Sequence, residues 1–235
     1  MQIQTPLADA DILYLTAFKE VFGGFAHEIA QPLNALMIAS QVIQLKIEGT
    51  NLTNDEKAFF IQRLNIVGAQ VQKVSQLLES FRTFTRGRQS EYAQPADVDS
   101  VFNRIYSLMG QQFASRAIQV ALEVSDNLPL ILRELQVVEA AIVQGLAFSR
   151  DAIGAIGQWH DSAGAEYEKS LQIGLVEIDG ASGMHLLWNP GQMPPGTMPI
   201  DPARHVGLCA AGSILRAAGG TLEWDDGSLR IVFPS

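Results

Sequence analysis

Apolar residues recur at three- and four-residue spacing through the first part of the chain. One stretch runs from about residue 7 to residue 47, and a second runs from about residue 54 to residue 86. The first carries Phe18, Val21, Phe22, Phe25, Ile29, Leu33, Leu36, Val42 and Ile43, and the second carries Phe60, Leu64, Val67, Val71, Val74, Leu77, Leu78, Phe81 and Phe84. This spacing is typical of amphipathic helices, so it predicts two long helices in an antiparallel hairpin.

Polar residues mark the ends of the two predicted helices. Asp9 and Asp11 form an acidic first turn, which suits the positive end of the helix dipole. Residues 48–54 form the predicted turn, where Thr53 or Asn54 supplies an N-cap with Glu56 close behind. Each helix carries more apolar surface than one partner helix covers. We therefore expect a homodimer whose two hairpins form a four-helix bundle.

The pattern changes after a polar stretch at residues 87–95, which we interpret as a linker. Alternating and helical segments then mix, which indicates an α+β fold. The predicted helices span about 97–116, 133–156 and 204–218. The predicted strands span 118–124, 170–178, 183–188, 221–224 and 229–233. We also predict an extended piece at 128–132 and turns at 179–182 and 225–227. We therefore predict two domains: a helical hairpin at residues 1–90 and an α/β sandwich at residues 95–235.

Composition narrows the possible functions. The chain has 235 residues, is 47% hydrophobic and has a single cysteine, Cys209, so it forms no internal disulfide and no multi-cysteine metal site. The other histidines, His160, His185 and His205, lack metal-ligand spacing, and we expect no bound metal. No apolar run is long enough to span a bilayer and no signal peptide is evident, so we expect a cytoplasmic protein.

Charge is distributed unevenly between the two halves. Residues 1–94 hold 8 Lys+Arg against 9 Asp+Glu, and residues 95–235 hold 8 against 16, giving net charges of −1 and −8. A half with a net charge of −8 has no general attraction for polyanions. We therefore expect no nucleic-acid partner.

One stretch of the first helix, residues 22–36, combines reactive and structural residues. His27 lies off the densest line of the apolar stripe, which makes an exposed imidazole plausible. Glu28 follows directly, Gln31 lies one helical turn later, and Pro32 removes a backbone donor and should kink the helix. A neutral imidazole is a good nucleophile near pH 7.

This stretch also carries a resemblance to a known family. The string Ala-His-Glu-Ile-x-Gln-Pro-Leu-Asn-Ala, the hairpin ending in Phe-Arg-Thr-Phe-Thr-Arg and the closing Ala-Gly-Gly-Thr-Leu resemble the core of a two-component sensor histidine kinase. The resemblance covers the chain from about residue 15. It implies a dimerisation and histidine-phosphotransfer hairpin followed by a Bergerat-type ATP-binding domain. It also implies that His27 carries a phosphoryl group, that Glu28 fixes its tautomer or acts as general base, and that Gln31 orients a water.

The second half departs from that family at each nucleotide-binding motif. If Asp151-Ala152 sets the register, Gln144 and Phe148 stand where the family has two asparagines that hold Mg²⁺ and phosphates, and phenylalanine offers no oxygen ligand. Asn189 and Gly191 remain of the adenine motif, with Met193 in place of its second glycine; residues 179–183 are a competing match that we interpret as a hairpin turn.

The phosphate-binding glycines and the basic residues are also reduced. Of the glycine-rich phosphate loop only Gly207 is in place, and the lid before it is shortened to residues 190–202. Lys169 is the one basic residue between Arg150 and Arg204. We therefore expect a degenerate nucleotide site and no ATP or Mg²⁺ cofactor.

These observations favour a histidine phosphotransfer protein that carries a phosphoryl group on His27 between response-regulator aspartates without using ATP. A receiver domain of the response regulator is expected to dock C-terminal to His27, on Leu33, Leu36, Met37 and Ser40. Two alternatives remain open: an ATP-dependent sensor histidine kinase core that phosphorylates its own His27, and a pseudokinase that only binds a response regulator.

Overall fold

A computed structural model describes residues 9–47, 53–86, 95–132, 134–191, 193 and 199–234. Within them lie the helices α1 (Asp9–Ile47), α2 (Asn54–Arg86), α3 (Val98–Ala114), α4 (Leu135–Ser162) and α5 (Val206–Ala217), and the strands β1 (Gln119–Val124), β2 (Ser170–Ile178), β3 (Ala181–Leu187), β4 (Thr221–Trp224) and β5 (Ser228–Val232). The predicted helix start at Leu7, the turn at 48–52, the linker at 87–94 and the loop residues 192 and 194–198 lie outside the described residues. The predicted domain division at 90–95 stays a prediction.

The helices α1 and α2 form the predicted antiparallel hairpin. The rings of Phe25 and Phe81 stack with their centroids 4.1 Å apart, and Lys73 Nζ lies 3.6 Å from a carboxylate oxygen of Glu28. A capping box starts α2, because Thr53 Oγ1 accepts a hydrogen bond from the backbone N–H of Glu56 and the Glu56 carboxylate accepts one from the N–H of Thr53. This confirms the N-cap prediction at Thr53.

The second half is a mixed five-stranded sheet with helices on one face. The strand order is β1-β2-β3-β5-β4, in which β1 and β2 are parallel and the other neighbours are antiparallel. Burial alternates along β2, where Leu171, Ile173 and Leu175 are buried and Gln172 and Glu177 are exposed. The sheet therefore has one face toward the helices and one toward solvent, as an α+β fold requires.

Two predicted boundaries were wrong. The turn between β2 and β3 has two residues, Asp179 and Gly180, rather than four, because both adopt positive φ angles, of 52° and 83°, and close the hairpin tightly. This confirms the interpretation of residues 179–183 as a hairpin turn. The helix α4 continues to Ser162 rather than ending near residue 156, because His160 near its end is buried and stacks on Tyr167.

One side of α1 also packs against the α/β half. Leu13, Ala17 and Val21 lie one turn apart, and all three are fully buried in the main hydrophobic core together with residues of α3, α4 and α5. Burying side chains of the size of Leu and Val contributes roughly 1.5–3 kcal/mol each. The first helix therefore shares one hydrophobic core with the α/β half, and Leu77 of α2 belongs to the same core.

Gly24 sets how closely α1 approaches α3. A Cβ atom at this position would overlap the backbone carbonyl oxygen of Leu108 and would lie 2.6 Å from Nε2 of Gln112. A Cβ atom at the neighbouring Gly23 would meet nothing within 4 Å. Only one glycine of the pair is therefore required for packing.

None of the helices that the structure describes is long and apolar enough to cross a membrane.

The two glycines offer a matched test of this packing. Gly24→Ala should lower the free energy of unfolding by about 1–3 kcal/mol, because the added methyl group forces α1 away from α3. Gly23→Ala should raise it by roughly 0.5–1 kcal/mol, because alanine is the better helix former and has room here. Urea unfolding of both variants measures the difference. Equal effects of the two substitutions would contradict the close contact.

Candidate functional site

The stretch that contains His27 lies within α1, which continues as helix through Pro32. Pro32 is buried, and Gln31 before it is exposed. The backbone of His27 is helical, whereas its side chain lies outside the described set, so the exposed imidazole stays a prediction. The predicted kink at Pro32 and the predicted role of Gln31 also stay predictions.

Glu28 is the most constrained polar residue of this stretch. Its side chain is buried, and one carboxylate oxygen accepts a hydrogen bond of 2.8 Å from the backbone N–H of Gln111 on α3. The other oxygen pairs with Lys73 on α2. A buried carboxylate held by two partners stabilises the junction of three helices. The predicted action of Glu28 on the His27 imidazole stays a prediction.

Tyr106 on α3 faces the same carboxylate. Its pKa is raised above 10.0, first because burial disfavours the phenolate and then because the charge of Glu28 repels it. The hydroxyl group therefore stays protonated near neutral pH.

The predicted docking residues C-terminal to His27 are mostly accessible. Leu33 and Met37 are 50% and 54% exposed, Ser40 is exposed, and Leu36 is half-buried. Other exposed apolar residues of the hairpin are Leu15, Phe18, Phe22, Ile38, Ile61, Leu64, Val71 and Leu78. The hairpin thus presents a large apolar surface, of the kind that marks contact with another protein.

The residues at the nucleotide-motif positions of the sequence are packed against other side chains of this chain. Phe148 is fully buried, with its ring 6.0 Å from that of Trp188 and 5.6 Å from that of His205, in edge-on contacts. Aromatic rings in this arrangement attract each other beyond the effect of burial. The phenylalanine therefore forms part of a packed aromatic cluster.

Gln144 lies one turn before Phe148 on α4, and both ends of its side-chain amide contact other residues. Its Nε2 donates a hydrogen bond of 3.2 Å to Oγ1 of Thr16 on α1. A Cβ atom at Gly207 would overlap the Oε1 of Gln144, so the side chain amide fills the space at the start of α5. The two family-motif positions Gln144 and Gly207 are thus in direct contact with each other.

His205 caps α5 in this region. Its Nδ1 accepts a hydrogen bond of 3.1 Å from the backbone N–H of Leu208, which requires the neutral ring. Burial lowers the pKa of His205 below 6.5, an effect larger than the opposing attraction of Asp151 and Glu20.

Asn189 and Gly191, the remaining adenine-motif residues, form a local turn. The Asn189 Oδ1 accepts a hydrogen bond of 2.8 Å from the N–H of Gly191, whose φ is +69°. The Asn189 carbonyl oxygen accepts a hydrogen bond of 2.6 Å from the hydroxyl group of Tyr167. Burial raises the pKa of Tyr167 to about 12, so it donates at all physiological pH values.

Arg150 is a central residue that the sequence patterns did not single out. Its side chain is 7% exposed and donates to the carboxylates of Glu20, at 2.9 Å, and of Asp151, at 2.7 Å, and to the Gln112 side chain. Burial alone would lower the pKa of Arg150, but these carboxylates outweigh it and raise the pKa. Arg150 therefore links α1, α3 and α4 as a fixed cation.

A second unpredicted pair lies nearer the start of α4. Glu139 is buried and pairs with Arg104 of α3. Burial raises the pKa of Glu139 despite this partner. One signal in the sequence could have indicated such partners: residues 137–148 carry only two polar side chains, Glu139 and Gln144, and a helix that is apolar on nearly all sides is covered by more than one layer.

No model of a known protein family matches the chain. Over 227 residues it is 25% identical to the two-component sensor PprA of Pseudomonas aeruginosa, an alignment that covers 93% of this chain and 24% of the relative. The chain thus spans about a quarter of the length of that relative.

Solved structures of low sequence identity also match. The histidine kinase AdeS of Acinetobacter baumannii matches at a TM-score of 0.43 and 16% identity, over 88% of this chain and 97% of that one. A bacterial phosphotransferase matches at a TM-score of 0.43 and 13% identity, over 98% and 99%. The histidine kinase ThkA, in a complex with the response regulator TrrA, matches at a TM-score of 0.45 and 14% identity, over 94% and 63%.

The chain therefore resembles the core of a two-component sensor histidine kinase along nearly its whole length. A helical hairpin followed by a mixed sheet with helices on one face is the α+β architecture that this resemblance predicted.

The cap at His205 should make the free energy of unfolding depend on pH, and the sign of this dependence is defined. The unfolded chain binds a proton at His205 near pH 6.5 and the folded chain resists it, so the stability from the cap is present above about pH 6.5 and is lost as the pH falls. Between pH 7.5 and 5.5 the wild type should lose about 1 kcal/mol more free energy of unfolding than His205→Asn, whose amide caps without titrating.

Urea unfolding at the two pH values measures this difference. His185, whose pKa is also lowered by burial and by Arg230, is present in both proteins and cancels in the comparison. The same pH dependence in wild type and variant would contradict a neutral His205 cap.

Proposed function

We propose that this chain is a phosphotransfer protein of a two-component system, which accepts a phosphoryl group on His27 from one response-regulator aspartate and passes it to another. The main support for the proposal is the packing at the nucleotide-motif positions, where Phe148 packs against Trp188 and His205. We refer to Gln144, Phe148 and Gly207 with these two neighbours as the filled region. The His27 string supports the chemistry, because it lies on the accessible hairpin rather than in that filled region.

The transfer step needs no cofactor held by this chain. The neutral imidazole nitrogen of His27 attacks phosphorus, the bond from phosphorus to the aspartyl oxygen breaks, and the oxygen keeps the electron pair as a carboxylate. The other ring nitrogen then releases its proton to solvent. The reverse step returns the phosphoryl group to a second aspartate.

The residues of the filled region do not fit a magnesium nucleotide. Mg²⁺ needs oxygen ligands in near-octahedral geometry. At the two positions where the family has asparagines, Phe148 has no oxygen, and Gln144 has its amide nitrogen on Thr16 and its amide oxygen against Gly207. A triphosphate entering here would have to displace α1 as well as the aromatic cluster.

The exposed apolar surface of the hairpin suits two partners. We propose that a second copy covers part of it to form a four-helix bundle, as the helical pattern predicts. A receiver domain would use the part formed by Leu33, Leu36, Met37 and Ser40, which begins two turns after His27 and reaches about 20 Å along the helix at 1.5 Å per residue. The reactive histidine and the docking surface would then lie on one helix.

A second function has its own support. The similarity to the sensor PprA along 93% of this chain favours an ATP-dependent histidine kinase core over a phosphotransfer protein. In that case His27 would receive its phosphoryl group from ATP, and the region around Phe148 would have to open before nucleotide binds.

Radiolabelled phosphoryl transfer separates the two functions. Receiver domains of the organism's response regulators, phosphorylated with labelled acetyl phosphate, should transfer label to the wild type and to His185→Gln, but not to His27→Gln. The His185→Gln protein is the matched control, because it removes another histidine by the same substitution. Labelled Mg-ATP without any receiver should leave the protein unlabelled.

Two results would contradict the proposal. Label on His27 from Mg-ATP alone would establish the kinase. Receiver binding without any transfer, unchanged in His27→Gln, would leave only a binding role, the third function that the sequence left open.

A further inference from the structure

A basic pocket opens between α1 and the C-terminal end of α3. It has a volume of about 360 Å³ and is lined by Lys19, Glu20, Gly23, Gln112, Ser115, Arg116 and Arg150. None of these residues is among the candidate site residues that the sequence indicates. We refer to this set as the basic pocket.

The charge of the basic pocket stands out in an acidic chain. Three cationic side chains line it, against the carboxylate of Glu20 and that of Asp151 beside Arg150. Lys19 and Arg116 are exposed, and neither takes part in an ion pair within the part of the chain that the structure describes. The three cationic side chains and the two carboxylates sum to a net charge of +1, whereas the whole chain has a net charge of −9.

Arg150 gives the pocket a fixed cation. Its guanidinium donates to Asp151 and to the pocket residues Glu20 and Gln112, so it cannot reorient freely. Keeping a charged group this buried costs desolvation, which the paired carboxylates offset. A preorganised cation next to two accessible cations is the arrangement that proteins use to bind oxyanions. Ser115 places a hydroxyl group in the same wall.

The pocket lies next to the reactive position on α1. Gly23 forms part of its wall and precedes His27 by four residues, which is one helical turn or about 6 Å along the axis. Residues four apart lie on the same side of a helix. The space beside Gly23 is open, because a Cβ atom there would meet nothing within 4 Å. A small anion in the basic pocket would therefore lie close to the backbone position of His27.

We propose that the basic pocket binds a phosphate-type oxyanion, namely the phosphoryl group in transit through His27, with Arg116 and Lys19 as its accessible ligands and Arg150 as its fixed one. This inference rests on the proposed phosphotransfer function for the identity of the anion. The pocket on its own recognises the chemistry that free phosphate shares with a phosphoryl group. The receiver would dock on the C-terminal side of His27 and the pocket would hold the phosphoryl oxygens from the N-terminal side.

The first experiment tests binding without any transfer. Wild type, Lys19→Gln, Arg116→Gln and the control Arg216→Gln are titrated with inorganic phosphate, and amide chemical shifts are followed by NMR. Arg216 is an exposed arginine in the last turn of α5, so its substitution removes the same charge far from the pocket. The wild type and the control should show shifts at Gly23, Gln112 and Ser115, and the Arg116 and Lys19 variants should bind phosphate about tenfold more weakly.

The second experiment identifies the source of the anion. With a phosphorylated receiver at saturating concentration, the first-order rate of transfer to Arg116→Gln should fall about tenfold, while half-saturation by the receiver stays unchanged. Both variants change exposed side chains, and an unchanged thermal unfolding midpoint confirms that each folds.

The outcomes separate the pocket from the proposed function. Phosphate affinity equal in all four proteins would overturn the pocket. Weaker phosphate binding with an unchanged transfer rate would overturn the link to His27 and favour free phosphate as the ligand. If no receiver phosphorylates the wild type but phosphate binding still depends on Arg116, the pocket stands as an oxyanion site and the phosphotransfer function fails.

Discussion

The packing of one side of α1 against the α/β half is the contact on which the rest of the structure depends. It brings Leu13, Ala17 and Val21 into the core of the α/β half and lets Gly24 touch the backbone of α3. Because α1 also pairs with α2, this single helix joins the hairpin to the sheet. The contact is close enough that one added methyl group at Gly24 cannot be accommodated without movement.

That contact also explains the state of the nucleotide-like region. The helix α4 has the sheet on one side and α1 on another, and its residues 137–150 are buried. Polar groups that would otherwise face a ligand then need partners within the protein. Gln144 donates a hydrogen bond to Thr16, and Arg150 donates hydrogen bonds to Glu20 and Gln112. The same arrangement creates the basic pocket at the edge of the contact, one turn from His27.

Much of the fold follows from local patterns. The spacing of apolar residues predicts all five helices and five strands to within a few residues, with α4 as the main exception, and the Thr53 and Glu56 capping box follows from four residues of sequence. Long-range contacts do not follow in this way. Phe18 and Phe22 belong to the apolar stripe of α1 but are about half exposed, whereas Leu13 and Ala17 are fully buried. The periodicity defines an apolar stripe. It does not indicate which part of the stripe packs against the partner helix and which part packs against the α/β half.

In the candidate site, too, the sequence indicates the local features but not the long-range contacts. The string around His27 is local, so the sequence alone singles it out, and the substitutions at Gln144, Phe148 and Gly207 are visible by comparison with the family pattern. Apart from the ion pair of Arg150 with the neighbouring Asp151, the partners of Arg150, Gln112 and the buried Glu28 lie more than 35 positions away, and no local spacing indicates them.

We propose that α1 and the aromatic cluster of Phe148, Trp188 and His205 close the region where a nucleotide would bind. Native-state hydrogen exchange of the amides of α4 and α5, with and without a non-hydrolysable Mg-ATP analogue, tests this most directly. We expect these amides to be strongly protected already and to exchange at the same rates when the analogue is added. Slower exchange around Gln144, Phe148 and Gly207 on addition of the analogue would contradict the claim.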